Sequence, residues 1–260
     1  MKSLAIVLLC LCVIAFAQPS TSEEDVWKDF TNWLQRQAPN SKPGDLIRSY
    51  RDSLLKQGIT DVETSRRMGV VSNSVFTRRK GVELLWDKVY AGNNPVFIQS
   101  PSSIVMNAIG GRKPGNALDI GMGQGRNSVY LAARGWDVTG FDPSGEGIRI
   151  ARSNADKAGV KIRALVARDD EFQYGEDRWD LIVITYVRDL TTEDAQHFWT
   201  ALRPGGIVVY ENGADESNSV LRAFLGYEII RFEDIQITPE WNPNDNRIRV
   251  QRLIAQKTIK

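Results

Sequence analysis

The stretch ALDIGMGQGRNSVYLAARGWDVTGFDPS, residues 117–144, decides the fold. It runs from a short apolar strand, Ala117 to Ile120, through three glycines into a helical segment from about Gln124 to Arg134. A second strand follows over 137–142 and ends in an acid, Asp142. Gly121, Gly123 and Gly125 are spaced G-x-G-x-G, which lets the backbone turn sharply and lets a ligand approach where a Cβ would intrude. The same turn presents the unpaired amides of a helix start, which can receive a carboxylate. Asp142 lies 21 residues after Gly121, where a carboxylate can accept both hydroxyls of a ribose, so the two features together call for a nucleoside-containing ligand. A tight turn with Asp142 merely capping the helix that begins at Ser144 is the simpler alternative, and it gives no reason for the two positions to coincide.

Alternation continues downstream. A helix is expected over 144–158, strands over 161–167 and 179–185, a helix over 192–202 and a strand over 207–211. Strands separated by helices imply crossover connections and parallel pairing. Thr191 followed by Asp194 is an approximate capping box, and Ser144 follows Pro143 at a strand end, so local signals agree with this parse. The extended segments 227–237 and 248–255 flank a turn region with Pro239, Trp241, Pro243 and Asn244, which predicts an antiparallel hairpin. The expected fold is α/β: a Rossmann-like, seven-stranded, mostly parallel sheet with helices on both faces, an antiparallel C-terminal hairpin and an N-terminal helical accessory segment.

That accessory segment is read from periodicity. Val26, Phe30, Trp33 and Leu34 share one helical face, and Leu46, Tyr50, Leu54 and Leu55 share another after a break at Pro43-Gly44. Further helices are expected over about 60–76 and 82–90, and the turn cluster from Gly110 to Asn116 separates them from the first strand. Ahead of all this, Lys2 precedes the apolar run LAIVLLCLCVIAFA, which closes on Ala15 and Ala17 before Gln18. The run is shorter than the roughly 20 residues of a bilayer-spanning helix, so it reads as a cleaved secretory signal, with no stable membrane insertion afterwards. The expected organisation is 1–17 signal peptide, 18–110 helical accessory or lid segment, and 111–260 catalytic domain. The expected location is secreted or periplasmic, or cytoplasmic if Met1 is not the true start.

Composition excludes several classes. The chain has 260 residues, 42% hydrophobic and 25% charged, which suits one ordinary α/β core. Lys and Arg number 33 against 32 Asp and Glu, and cleavage after Ala17 would remove Lys2 alone, leaving no global field to draw nucleic acid or anionic lipid. Cys10 and Cys12 both sit in the apolar run, so a mature chain would have no disulfide. His197 is the only histidine, and with no C-x-x-C and no G-x-S-x-G no metal site is expected and acyl chemistry has no starting point.

The 117–144 stretch resembles motif I and the following acidic motif of class I S-adenosylmethionine-dependent methyltransferases. Its GRNS run with LAARGWDVTGFDPS is similar to the small-molecule group that includes tellurite-resistance and thiopurine-type enzymes. WDLIVITYV, residues 179–187, resembles motif IV, LRPGGIVVYE, residues 202–211, resembles the strand after it, and Trp86 to Tyr90 resembles a W-D-x-x-Y segment that closes the site. The resemblance spans about residues 84–211. It implies that Asp119 with Gly121, Gly123 and Gly125 holds the methionine end of S-adenosylmethionine and that Asp142 holds its ribose. Arg126 and Asn127 would assist at the helix start, and Asp169, or Asp170 beside it, would meet the adenine amino group, with the ring near Phe141, Pro143 or Phe172. Met122 departs from the family's usual small residue, and ITYVRD lacks the N-P-P-Y signature of amino-group methylation on bases and glutamines.

The implied chemistry is methyl transfer to a small nucleophile, a thiol, an amine or a metalloid, with Tyr186 and Asp189 as the residues that orient or deprotonate it. No nucleic-acid partner is expected, and oligomeric state is not encoded in any feature found. Two other readings stay open: a nicotinamide-dependent oxidoreductase, because G-x-G-x-G falls one residue short of the dinucleotide fingerprint, and a non-catalytic S-adenosylmethionine-binding protein.

Overall fold

The computed structural model describes residues 21–258 apart from 40, 79, 92–96, 98, 215–218 and 240–246. The signal-peptide expectation at 1–17 and the turn residues Trp241, Pro243 and Asn244 lie outside the described residues. The N-terminal segment forms α1 (Glu23–Gln35), α2 (Pro43–Lys56), α3 (Asp61–Thr77) and α4 (Gly81–Tyr90). Ser22 and Thr60 cap α1 and α3 by accepting the Asp25 and Glu63 amides, and Pro43 opens α2 where a missing N–H costs nothing. Their apolar faces meet in a core of their own, with Phe30 edge-on to Tyr50 at 5.0 Å and Leu54, Val71 and Val89 fully buried. Among the described residues no helix is long and apolar enough to cross a membrane.

The sheet follows a short helix, α5 (Ser103–Ala108), which the sequence reading did not foresee. In chain order come β1 (Asn116–Ile120), α6 (Arg126–Ala132), β2 (Asp137–Asp142), α7 (Gly145–Lys157), β3 (Arg163–Val166), β4 (Trp179–Thr185) and α8 (Thr192–Ala201). β5 (Leu202–Gly213), α9 (Ser219–Ala223), β6 (Glu228–Ile237) and β7 (Ile248–Gln256) complete it. The seven strands lie in the order β3-β2-β1-β4-β5-β7-β6. β3 to β5 pair in parallel, and β7 runs antiparallel between β5 and β6. Alternate residues of β4 enter opposite cores: Ile182 and Ile184 pack with Phe141 and Phe198, whereas Leu181 and Val183 pack with Leu131 and Trp136. Burial on both faces is why these strands read as unbroken apolar runs.

Several boundaries differ from the sequence reading by a residue or two, and the starts of β5 and α6 differ for a local reason. β5 begins at Leu202 rather than 207, because Leu202 pairs with Trp179 and a bulge carries the register on to Leu181 with Ile207. α6 begins at Arg126 rather than 124, because Gly125 takes the left-handed conformation at φ 80° and cannot belong to the helix.

Candidate active site

The three turn glycines all have positive φ, 61° at Gly121, 51° at Gly123 and 80° at Gly125. A Cβ on Gly121 would run into the Val187 side chain, and one on Gly123 into the Tyr90 hydroxyl. Gly125 faces away from the opening: its Cβ would press on Ala151 of α7 at 2.9 Å, so this glycine serves helix packing. Asp142 ends β2 beside the turn, its Oδ2 accepting the Gly123 amide at 2.9 Å and its Oδ1 the Ser144 amide at 2.8 Å. Burial pushes its pKa up to about 6, Asp87 adds to the rise, and the two amides offset part of it. Asp119 on β1 accepts the Ser128 hydroxyl at 2.6 Å and is also pushed up to about 6 by burial.

α4 covers this turn. Trp86, Tyr90 and Phe97 form an aromatic cluster, with Trp86 stacked on Tyr90 at 5.8 Å and Phe97 edge-on to Tyr90 at 6.0 Å. Asp87 holds α4 in place by accepting the Ser144 hydroxyl at 2.6 Å and the Glu146 amide at 3.1 Å, at the positive end of α7. Asp87→Ala is expected to lower the melting temperature by about 2–4 °C, the effect of about 1 kcal/mol in a chain of this size. Thermal unfolding checks it.

Beyond β3, Asp169 is already engaged. Arg188 donates Nε to its carboxylate at 2.9 Å and a second N–H beside it, and the Tyr174 hydroxyl donates to its other oxygen. Arg188 also makes two bonds of 2.7 Å to Asp194 of α8, so it clasps the β3 loop to α8. Asp170 points to Arg168 at 3.0 Å and is exposed. Phe141 and Phe172 stack at 4.4 Å with their planes 20° apart, which gives the site a flat aromatic wall.

The end of β4 carries Tyr186 at φ 56°, a strained conformation for a residue with a side chain. Its amide donates to the Glu211 carbonyl at 2.7 Å and its hydroxyl to Glu211 Oε1 at 3.0 Å. Burial first, then the Glu211 charge, holds the phenol pKa well above its usual value. Asp189 is not in this group. It is exposed, bonded to Asn212 Nδ2 at 2.9 Å, and is not among the cavity-lining residues, whereas Val187 and Arg188 just before it are. Asn127 is buried with both ends of its amide used, accepting the Ser102 amide at 2.9 Å and donating to Thr185 Oγ1 at 3.0 Å. It ties the start of α5 to the end of β4. Arg126 lines the cavity and donates to the Ser100 carbonyl at 3.0 Å.

These elements enclose a cavity of about 1140 Å³. Its floor is Asp119, Gly121, Gly123 and Asp142, its far wall Phe141, Phe172 and Asp169, and its cover Trp86, Tyr90 and the start of α2 at Lys42 to Asp45. The volume exceeds the roughly 300–1,000 Å³ of a pocket for one drug-sized ligand, leaving room for a nucleoside cofactor and an acceptor together. His197 reaches the same cavity from α8. The residue that sequence reasoning missed is Glu211, fully buried behind Tyr186 and paired with Arg252 of β7 at 2.8 Å. An acid closing the apolar run IVVYE was the signal, but its partner lies 41 residues further on.

The comparisons bear on the family and the fold. Residues 117–206 match the methyltransferase domain family, in keeping with the class I, S-adenosylmethionine-dependent methyltransferase motifs that this stretch resembles. A ubiquinone biosynthesis O-methyltransferase of Methylobacterium sp. (strain 4-46) is 34% identical over 116 residues, 44% of this chain and 47% of the relative. A probable S-adenosyl-L-methionine-dependent methyltransferase TehB of Haemophilus influenzae (strain 10810) is 35% identical over 74 residues, 28% of this chain and 26% of the relative. The crystal structure of TehB from Haemophilus influenzae superposes with a TM-score of 0.53 at 21% identity, over 68% of this chain and 67% of that one, a likeness of fold. The chain spans less than half the length of the first curated relatives it matches.

The donor set fits S-adenosylmethionine. A carboxylate offers about four acceptor positions, so Asp142 retains two for ribose hydroxyls after the Gly123 and Ser144 amides are counted. The glycine turn lines the same cavity, with Val187 and Tyr90 packed so closely on Gly121 and Gly123 that neither position has room for a Cβ.

Proposed function

We propose that the chain transfers the sulfonium methyl of S-adenosylmethionine to a small-molecule nucleophile bound in the same cavity. The observation that carries this reading is the cavity itself, which has room for a nucleoside cofactor and a small acceptor side by side and is lined by Trp86, Tyr90 and the start of α2 beside the glycine turn. A balanced charge of +1 also supplies no global field to draw a phosphate backbone. On this reading 18–110 acts as a lid over a domain at 111–260, and two of the relatives are named for methylation on oxygen. The dinucleotide reading is disfavoured by topology, because β7 enters antiparallel between β5 and β6 where the dinucleotide fold continues in parallel.

The bound cofactor supplies a methyl group that is already activated. The chain's residues therefore have to orient and to exclude water. Asp142 would hold the ribose, Asp119 and the glycine turn the amino-acid end, and Phe141 with Phe172 the purine. Trp86, Tyr90 and Phe97 keep water out, and Tyr186 faces the acceptor. Asp189, outside the cavity, has no part in this scheme. Titration calorimetry tests the first step: S-adenosylhomocysteine should bind the purified protein and NADH should not. Binding of NADH with no response to S-adenosylhomocysteine overturns the reading.

A further inference from the structure

Tyr90 carries a polar group that covering the site does not by itself require. Its ring is seated by two glycines: a Cβ on Gly147, in the first turn of α7, would press on the ring at 3.2 Å, and a Cβ on Gly123 would run into the hydroxyl. Trp86 stacks on the same ring at 5.8 Å, and Asp87 pins this turn of α4 to the Ser144 hydroxyl and the Glu146 amide. The side chain is only 8% exposed, so packing leaves the ring little freedom and holds its oxygen over the glycine turn. There the hydroxyl has no hydrogen-bond partner among the described residues. Nor is it sealed in. Unlike the fully buried Thr64 hydroxyl, which also lacks a partner, the Tyr90 oxygen keeps some surface, and the space that its residue lines together with Gly123 is the cavity.

Asp142 serves the same glycine from its other side. Its Oδ2 accepts the Gly123 amide at 2.9 Å, while the phenol lies against the Gly123 Cα. The two groups feel each other: burial first, then the Asp142 charge, holds the Tyr90 pKa above its usual value, and Arg126 acts in the opposite sense. They do not bond to each other, so the site offers a charged acceptor and an uncommitted donor around one residue. A ligand hydroxyl uses both. It gives its single proton to the carboxylate, and its oxygen can then only receive a proton from another donor. We propose that Tyr90 is a cofactor-binding residue whose hydroxyl donates to the ribose hydroxyl that Asp142 accepts from, so that the protein reads this hydroxyl from both sides and rejects a deoxyribose ligand. This rests on the methyl-transfer reading above and its ribose assignment, and extends them to the N-terminal segment. A ligand without the hydroxyl leaves both protein groups unpaired. Because Tyr90 belongs to α4, the bond also ties the accessory helices to the cofactor.

Tyr90→Phe in the full chain tests the inference, because it removes the oxygen and keeps the ring. The probes are S-adenosylhomocysteine and its 2′-deoxy and 3′-deoxy analogues, read by titration calorimetry, with thermal unfolding of the ligand-free protein alongside. The melting temperature should hold or rise, since a hydroxyl with no partner contributes nothing to the free protein. S-adenosylhomocysteine affinity should fall about three- to ten-fold, the effect of one neutral hydrogen bond. At least one deoxy analogue should bind the wild type about ten-fold or more weakly than S-adenosylhomocysteine does, and should be indifferent to Tyr90→Phe within about two-fold. Unchanged S-adenosylhomocysteine affinity in the variant, or an equal loss on all three ligands, overturns the inference and leaves cofactor binding intact. A melting temperature several degrees lower overturns it too, because the hydroxyl would then serve the fold. Failure of the wild type to bind S-adenosylhomocysteine at all sinks the parent reading instead.

Discussion

Asp142→Ala is expected to weaken S-adenosylhomocysteine binding by about 10- to 150-fold, or about 1.5–3 kcal/mol for hydrogen bonds to a charged group. Each oxygen of this carboxylate accepts a backbone amide, and on the proposed reading each would also accept a ribose hydroxyl. Losing it therefore removes ligand contacts and also slackens the glycine turn. Calorimetry on a variant shown by circular dichroism to be folded reads the effect, and wild-type affinity would end the ribose assignment. The same group sets a pH dependence. Asp142 and Asp119 both titrate near 6 in the folded chain, above the ordinary value of 3.8, so the folded state holds these protons more tightly than the unfolded one. Their contribution to stability is present below about 4 and lost as the pH rises through 6. Ligand hydroxyls need the ionised form, so affinity should move the other way and fall as the pH drops below about 6. Asp142→Ala should flatten both slopes.

Gly123→Val should cost more, about 100-fold or greater in affinity, because two penalties of about 1–3 kcal/mol each fall on one turn. One is the left-handed backbone at φ 51°, and the other is collision of the new side chain with the Tyr90 hydroxyl. Relief of either moves the turn or the lid away from the ligand. Gly159→Ala is the control: it has φ 69° with nothing near its would-be Cβ, so it pays the backbone strain alone and should bind S-adenosylhomocysteine normally. Placing Gly123→Val in a Tyr90→Ala background should restore stability more than affinity, since space returns but the lid's ring is gone. Equal affinity for wild type and Gly123→Val would show that the turn serves structure alone.

Much of the fold was legible because its signals are local. The glycine spacing, the acid ending β2, the Thr191 cap with Asp194 and the apolar runs of β1, β4 and β5 each lie within a few residues. α5 and α9, at 6 and 5 residues, are too short for a helical period to register. The site was legible where it is made of backbone and less so where it is made of partners. Asp119, Gly121, Gly123 and Asp142 all line one cavity, and Gly125 packs on α7 instead. Asn127 and Asp169 occupy the expected elements, but Asn127 spends its amide on Ser102 and Thr185, and Asp169 shares its carboxylate with Arg188 and Tyr174. Those partners come from other segments, and a single sequence carries no record of them. Asp189 lies outside the cavity lining although Tyr186, Val187 and Arg188 belong to it, and its carboxylate accepts from Asn212 of β5, 23 residues further on.

β7 follows every other strand in the chain yet lies inside the sheet, between β5 and β6. During synthesis this order has a cost in time. Until residues 248–256 leave the ribosome, β5 presents an open edge with Val208, Val209 and Tyr210 unpaired on that side, and β6 has no neighbour at all. Glu211 meanwhile waits without the countercharge of Arg252. A nascent chain can thus assemble the nucleoside-facing half from β1 to β4 early, but it stays sticky at its growing end and chemically incomplete at Tyr186 until the final hairpin closes.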